Sequence, residues 1–126
     1  MKTFKMISIS LLGLFLALSA NVRAQDPITA APNVYKKVIL DNDKVRVMQV
    51  EFAPGDVAPW HSHPDHFAYA LTDGKLEITD KDKSPVVAEI KAGEALFLNA
   101  TTHMAKNIGE TTLKMIVTEL KATKKN

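Results

Sequence analysis

From Val34 onward the apolar residues come in short runs rich in β-branched side chains, broken by turn-forming residues, and no stretch sustains a helical period. This pattern predicts strands over Tyr35 to Leu40, Val45 to Phe52, Phe67 to Leu71, Lys75 to Thr79, Val86 to Ile90, Ala95 to Leu98 and Leu113 to Leu120. Asp41-Asn42-Asp43, Pro54-Gly55-Asp56, Asp73-Gly74 and Ala92-Gly93-Glu94 punctuate the runs. Asp73-Gly74 suits a tight hairpin, because both central residues of such a turn can take positive φ. Seven or more short strands in roughly a hundred residues imply an all-β sandwich or small barrel. Residues 25–33 contain Pro27 and Pro32 and lack apolar periodicity, so they read as a linker into the first strand. Residues 121–126 read as a lysine-rich, solvated and flexible tail.

The amino terminus has a different pattern. Lys2 and Lys5 precede an apolar run, and Val22-Arg23-Ala24 ends in a small residue, which is the arrangement of a signal peptide spanning residues 1–24 and cleaved before Gln25. The run from Met6 to Ala20 is 15 residues, short of the roughly 20 that a spanning helix needs. The expected destination is the periplasm or the exterior. The sequence has no cysteine, so neither a lipid anchor on that residue nor a disulfide is available, and the fold must rest on its core.

Removing the leader changes the charge reading. The whole chain has 16 basic and 14 acidic residues. Losing Lys2, Lys5 and Arg23 leaves 13 basic residues against 14, a net charge of −1. Nothing in that balance supports a nucleic-acid partner or an electrostatic hold on a membrane after cleavage. The 102 residues that remain are enough for one domain with one core, assigned to 34–120.

The candidate chemistry lies in the histidines. His61-Ser62-His63 is followed forty residues later by His103. Side chains two apart on an extended strand share a face, so His61 and His63 can converge on one point, and His103 on a facing strand would complete a three-imidazole set. Imidazole suits zinc, iron, copper and nickel, and three protein ligands leave room for water or substrate. His66 has the opposite parity, but Pro64-Asp65 reads as a turn that breaks the alternation, which leaves His66 a candidate ligand or general base. Arg46 shares parity with Met48, Val50 and Phe52, which would aim its head group into the pocket to hold a substrate carboxylate.

Gly55, five residues, His61-Ser62-His63, three residues, Phe67, six residues and Gly74 resemble the first cupin motif, in which a glutamate is usual where Phe67 stands. Gly93, Asn99, His103, three residues and Asn107 resemble the second. Here Asn99 replaces the usual proline, and the step from Gly93 to His103 is one residue short. The resemblance implies a double-stranded β-helix, a jelly-roll barrel, with a divalent metal (iron, zinc, manganese, nickel or copper) held by His61, His63 and His103. By analogy it also implies a homodimer, with the Tyr35 to Leu40 edge available for pairing.

Phe67 in the carboxylate position would leave the ion's double positive charge uncompensated, favouring anionic substrate oxygens. With Trp60, Met48 and Phe97 it would give the pocket a dry wall. Asn107 would orient a ligand or brace its strand. Two functional classes follow. One is a metal-dependent enzyme (oxygenase, lyase or isomerase) on a small oxygenated acid or diketone, and the other is a module that binds a sugar or small metabolite without turnover.

Overall fold

The computed structural model describes residues 25–123. The signal peptide expected over residues 1–24 and the last three residues of the tail lie outside the described residues. The described residues form nine strands: β1 (Tyr35–Asp41), β2 (Val45–Phe52), β3 (Val57–His63), β4 (His66–Ala70), β5 (Gly74–Asp80), β6 (Val86–Ile90), β7 (Ala95–Leu98), β8 (Thr101–Asn107) and β9 (Leu113–Leu120). All pairings are antiparallel, in a five-stranded sheet ordered β1-β2-β9-β4-β7 and a four-stranded sheet ordered β3-β8-β5-β6. The chain crosses between sheets repeatedly, which gives the jelly-roll barrel expected from the motifs.

Two of the nine strands were not among those predicted. β3 and β8 carry the histidines, and their runs Val-Ala-Pro-Trp-His-Ser-His and Thr-Thr-His-Met-Ala-Lys-Asn lack a clean apolar alternation. Their inward positions are filled largely by imidazole and small residues, so the usual strand signal is missing.

Alternation on the five-stranded sheet is clearer. Met48, Val50 and Phe52 on β2 face inward, as do Leu113, Met115 and Val117 on β9 and Ala68 and Ala70 on β4. They pack against Ala58, Leu76, Ile90 and Ala105 of the other sheet. Burial of this apolar surface, at about 25 cal/mol per Å2, is the main stabilising term in a chain without disulfides.

Two boundary expectations are corrected. Residues 27–30 form a short helix, α1 (Pro27–Ala30), capped by the Asp26 side chain, and Pro27, Ala31 and Val34 are buried, so the expected linker is part of the core. A proline at the first helical turn costs no hydrogen bond, which is why a proline-rich segment can still be helical. Lys121, expected in the flexible tail, bonds through its backbone to Lys44 and through its ammonium to Asp41.

Asp73-Gly74 is not a hairpin turn. It joins β4 in one sheet to β5 in the other, and positive φ among the glycines occurs instead at Gly55 and Gly93. Gly74 is required by proximity, since a Cβ there would stand 2.8 Å from Leu113 Cβ, and Leu113 is wholly buried. Gly74→Ala is therefore expected to destabilise the fold by about 1–3 kcal/mol through overpacking. Denaturant unfolding checks this, and a variant as stable as the parent would refute the crowding.

Candidate metal centre

One irregularity in β3 decides where the histidines point. In the β3–β8 ladder Ala58 pairs with Ala105 and His61 with His103, so three steps on β3 match two on β8. The extra residue falls at Pro59-Trp60. Ala58 is buried, both bulge residues are exposed, and His61 and His63 are again buried. Without the bulge, strict alternation from Ala58 would turn both histidines outward. Proline suits this position because it has no N–H to lose from the ladder. Its carbonyl accepts a hydrogen bond from His61 Nδ1 at 2.6 Å.

His103, opposite His61 on β8, closes the set. His61, His63 and His103 are buried, and their ligand atoms all lie within 4.8 Å of one another. His61 Nε2 and His103 Nε2 are 3.1 Å apart. The Tyr35 hydroxyl, reaching across from β1, lies 2.9 Å from His63 Nε2 and 3.2 Å from His61 Nε2.

Proton placement tests whether these groups fit a metal. A carbonyl only accepts, so His61 Nδ1 carries the proton and its Nε2 presents a lone pair. His63 Nδ1 donates to Glu119 Oε1 at 2.7 Å, which in the neutral ring leaves a second lone pair at its Nε2. His103 Nδ1 is buried without a hydrogen-bond partner, 3.7 Å from Asp80 Oδ1. If His103 donates through Nε2 to His61, its Nδ1 lone pair faces that carboxylate. If Nδ1 is protonated instead, two Nε2 lone pairs oppose each other. A cation between the rings relieves both conflicts, so the donor set fits a divalent metal.

Behind His63 lies a row of ionisable residues. Arg46, Glu119 and His66 are cross-strand neighbours on β2, β9 and β4. Arg46 Nε and Nη2 both approach Glu119 Oε2 at 2.8 Å, and Arg46 Nη1 meets Asp26 Oδ2 at 2.7 Å. Burial pushes the Glu119 carboxyl upward, but the His63 hydrogen bond and the Arg46 guanidinium outweigh it and hold the group below its ordinary value. The carboxylate thus stays ionised and fixes the His63 tautomer. Arg46 does face inward, as its parity predicted, but its guanidinium is committed to two protein carboxylates instead of standing free for a substrate.

The other expected site residues divide sharply. His66 is buried and stacks on His63 with ring centroids 4.3 Å apart, its Nδ1 bonded to Pro64 O at 2.8 Å, but it falls outside the three-histidine cluster. The Phe67 wall is corrected. The two-residue link Pro64-Asp65 resets the phase, so β4 turns His66, Ala68 and Ala70 inward and Phe67 outward. Phe67 pairs with Phe97 on the exposed face, where they are 38% and 63% exposed, and Trp60 is 46% exposed at the bulge. Met48 is buried in the core. Asn107 is buried four residues along β8 from His103, about 13 Å away, where its amide donates to Phe52 O and Thr111 O and accepts from Gly109 N. It braces a loop and lines no part of the centre.

Glu119 and Tyr35 were missed by the sequence reading. For Glu119 a signal existed, namely an acid continuing the inward series Leu113, Met115, Val117. Tyr35 gave none beyond an aromatic at the start of a strand.

Burial lowers His61 to about 4 and His103 to about 3, from 6.5. Both are neutral at pH 7, the form that binds metal. In the metal-free protein the unfolded chain takes up these protons first as pH falls through 6.5, so stability declines between about pH 6.5 and 4, with a slope approaching 1.4 kcal/mol per pH unit per histidine. Urea unfolding over that range should show the decline, and His103→Phe should flatten it. A metal-free wild type equally stable at pH 7 and 4.5 would contradict the burial account.

The family model of the cupin domain matches residues 48–119. Among solved structures, a cupin domain from Bordetella pertussis is 26% identical with a TM-score of 0.63, covering 68% of this chain and 91% of that one. An RmlC-like cupin family protein with a double-stranded β-helix fold, from Methanocaldococcus jannaschii, is 17% identical with a TM-score of 0.57 over 68% of this chain and 77% of that one. A cupin superfamily protein from Desulfitobacterium hafniense is 21% identical with a TM-score of 0.53 over 68% and 75%. No curated protein matches the sequence. The motif spacing, the two-sheet barrel and the family match together make this chain a member of the cupin family.

Proposed function

We propose that this chain is an exported, metal-dependent cupin enzyme acting on a small oxygenated acid or diketone as an oxygenase, lyase or isomerase. The observation that supports the reading best is the convergence of three buried imidazoles whose Nδ1 atoms are turned away toward protein acceptors or an acid. His61, His63 and His103 would hold the ion, which supplies Lewis acidity toward a substrate oxygen. Glu119 holds the proton on His63 Nδ1 and so keeps Nε2 available. His66, with its Nδ1 proton on Pro64 O, presents a basic Nε2 beside the site. Burial keeps His66 below its ordinary value, hence neutral and able to accept a proton at pH 7.

Metal analysis of residues 25–126, purified without chelator or affinity tag, tests the reading. Near-stoichiometric iron, zinc, manganese, nickel or copper is expected, and His61→Ala with His103→Ala should abolish it. Glu119→Gln should retain the site with affinity reduced about 10–100-fold. Failure of the wild type to hold any of these metals after reloading would replace the enzyme with a module that binds an organic ligand between the histidines.

The homodimer belongs to the same reading. β1 is a sheet edge, and Val38, Ile39 and Leu40 on it are exposed. Light scattering should give twice the protomer mass, and Ile39→Lys should halve it. A wild-type monomer at all concentrations would remove the dimer from the proposal.

A further inference from the structure

We propose that the Tyr35 hydroxyl is a fourth protein ligand of the metal centre, supplied by β1 of the five-stranded sheet to a site otherwise built on β3 and β8. The inference rests on the metal reading above and deepens it. Tyr35 is buried, at 6% exposure, and among the described residues its side-chain hydrogen-bond partners are His61 Nε2 and His63 Nε2. When each ring is neutral with its proton on Nδ1, held by Pro59 O or Glu119, both nitrogens are acceptors. A phenol has one proton to donate. One of its two contacts is therefore an oxygen lone pair against a nitrogen lone pair at about 3 Å, a repulsive arrangement unless a cation is shared.

The spacings agree with a shared ion. Donors held about 2.0–2.1 Å from one metal stand roughly 2.9–3.4 Å apart, between the octahedral and tetrahedral limits. The three distances here are 2.9 Å for Tyr35 to His63, 3.2 Å for Tyr35 to His61 and 3.1 Å for His61 to His103. These three separations fall in that range, while the imidazole ligand atoms as a set lie within 4.8 Å of one another, so the wider pairs close as the ion binds. The charge argument points the same way. With Phe67 outward, no carboxylate among the described residues joins the three-histidine cluster, and a phenolate would supply a negative donor, its proton leaving to solvent as the ion binds. Burial of the ring first, and Glu119 beside it second, disfavour the phenolate in the metal-free protein.

The competing arrangement is a plug, in which the hydroxyl fills the ion's place and must be displaced. The two predict opposite results in Tyr35→Phe, which keeps the ring and its packing. Zinc affinity would be measured on residues 25–126 by competition with a chromophoric chelator, and visible spectra recorded after loading with Fe(III) and Cu(II). Tyr69→Phe is the control, since the sequence has 2 tyrosines and Tyr69 lies half-exposed on the outer face. A ligand predicts a phenolate-to-metal charge-transfer band in the wild type and in Tyr69→Phe that is absent in Tyr35→Phe. It also predicts zinc affinity at least about 10-fold weaker in Tyr35→Phe, since even an outer partner costs that much. Metal uptake by the wild type with no such band, and equal or tighter binding by Tyr35→Phe, would overturn the ligand while leaving the metal reading intact. A wild type that takes up none of these metals would overturn both.

Discussion

A single buried carboxylate organises one end of this barrel. Glu119 is 4% exposed, yet it is ionised, because His63 and Arg46 surround it with donors. Moving such a charge out of water costs several kcal/mol, recovered only if its lone pairs are met by well-placed donors. Here one oxygen takes an imidazole N–H and the other takes two guanidinium N–H groups. The arrangement joins β9 to β2 within one sheet and to β3 in the other. Through the Arg46 contact to Asp26 it also reaches the chain ahead of α1.

The consequence for chemistry is orientation. A histidine can bind metal through either nitrogen, and the choice is set by what the other nitrogen meets. Glu119 settles it for His63 and the Pro59 carbonyl settles it for His61. The bulge that exposes Pro59 and Trp60 also restores the inward phase of both histidines, so one backbone irregularity supplies an aim and a tautomer. N-terminal residues add support here, since Ser62 N donates to Gln25 O at 3.0 Å, tying the strand between the two histidines to the start of the described chain.

Apolar and polar functions are separated along the barrel. Phe52, Leu113 and Ala70 fill one end of the five-stranded sheet's inner face, while Arg46, Glu119 and His66 line the other. The separation lets a small core keep its packing while several titratable groups are buried together. Burial in turn keeps His61 and His103 neutral. The aromatic residues Phe67, Phe97 and Trp60 take no part in it and face outward.

The strand period, the β-branched composition, the identity of the three histidines and the spacing of the motifs are local properties, so the sequence alone determined an all-β barrel with an imidazole triad. Which way a side chain faced was less secure, because direction depends on phase. One extra residue at Pro59-Trp60 and a two-residue turn at Pro64-Asp65 each invert the alternation, and together they sent Phe67 and Trp60 out and His66 in. Proximity across the barrel was not legible at all. Tyr35 meets His61 and His63 across 26 and 28 residues, and Glu119 meets His63 across 56. Those contacts arise from the stacking of two sheets, a condition that no local pattern encodes, and only the tertiary structure decided them.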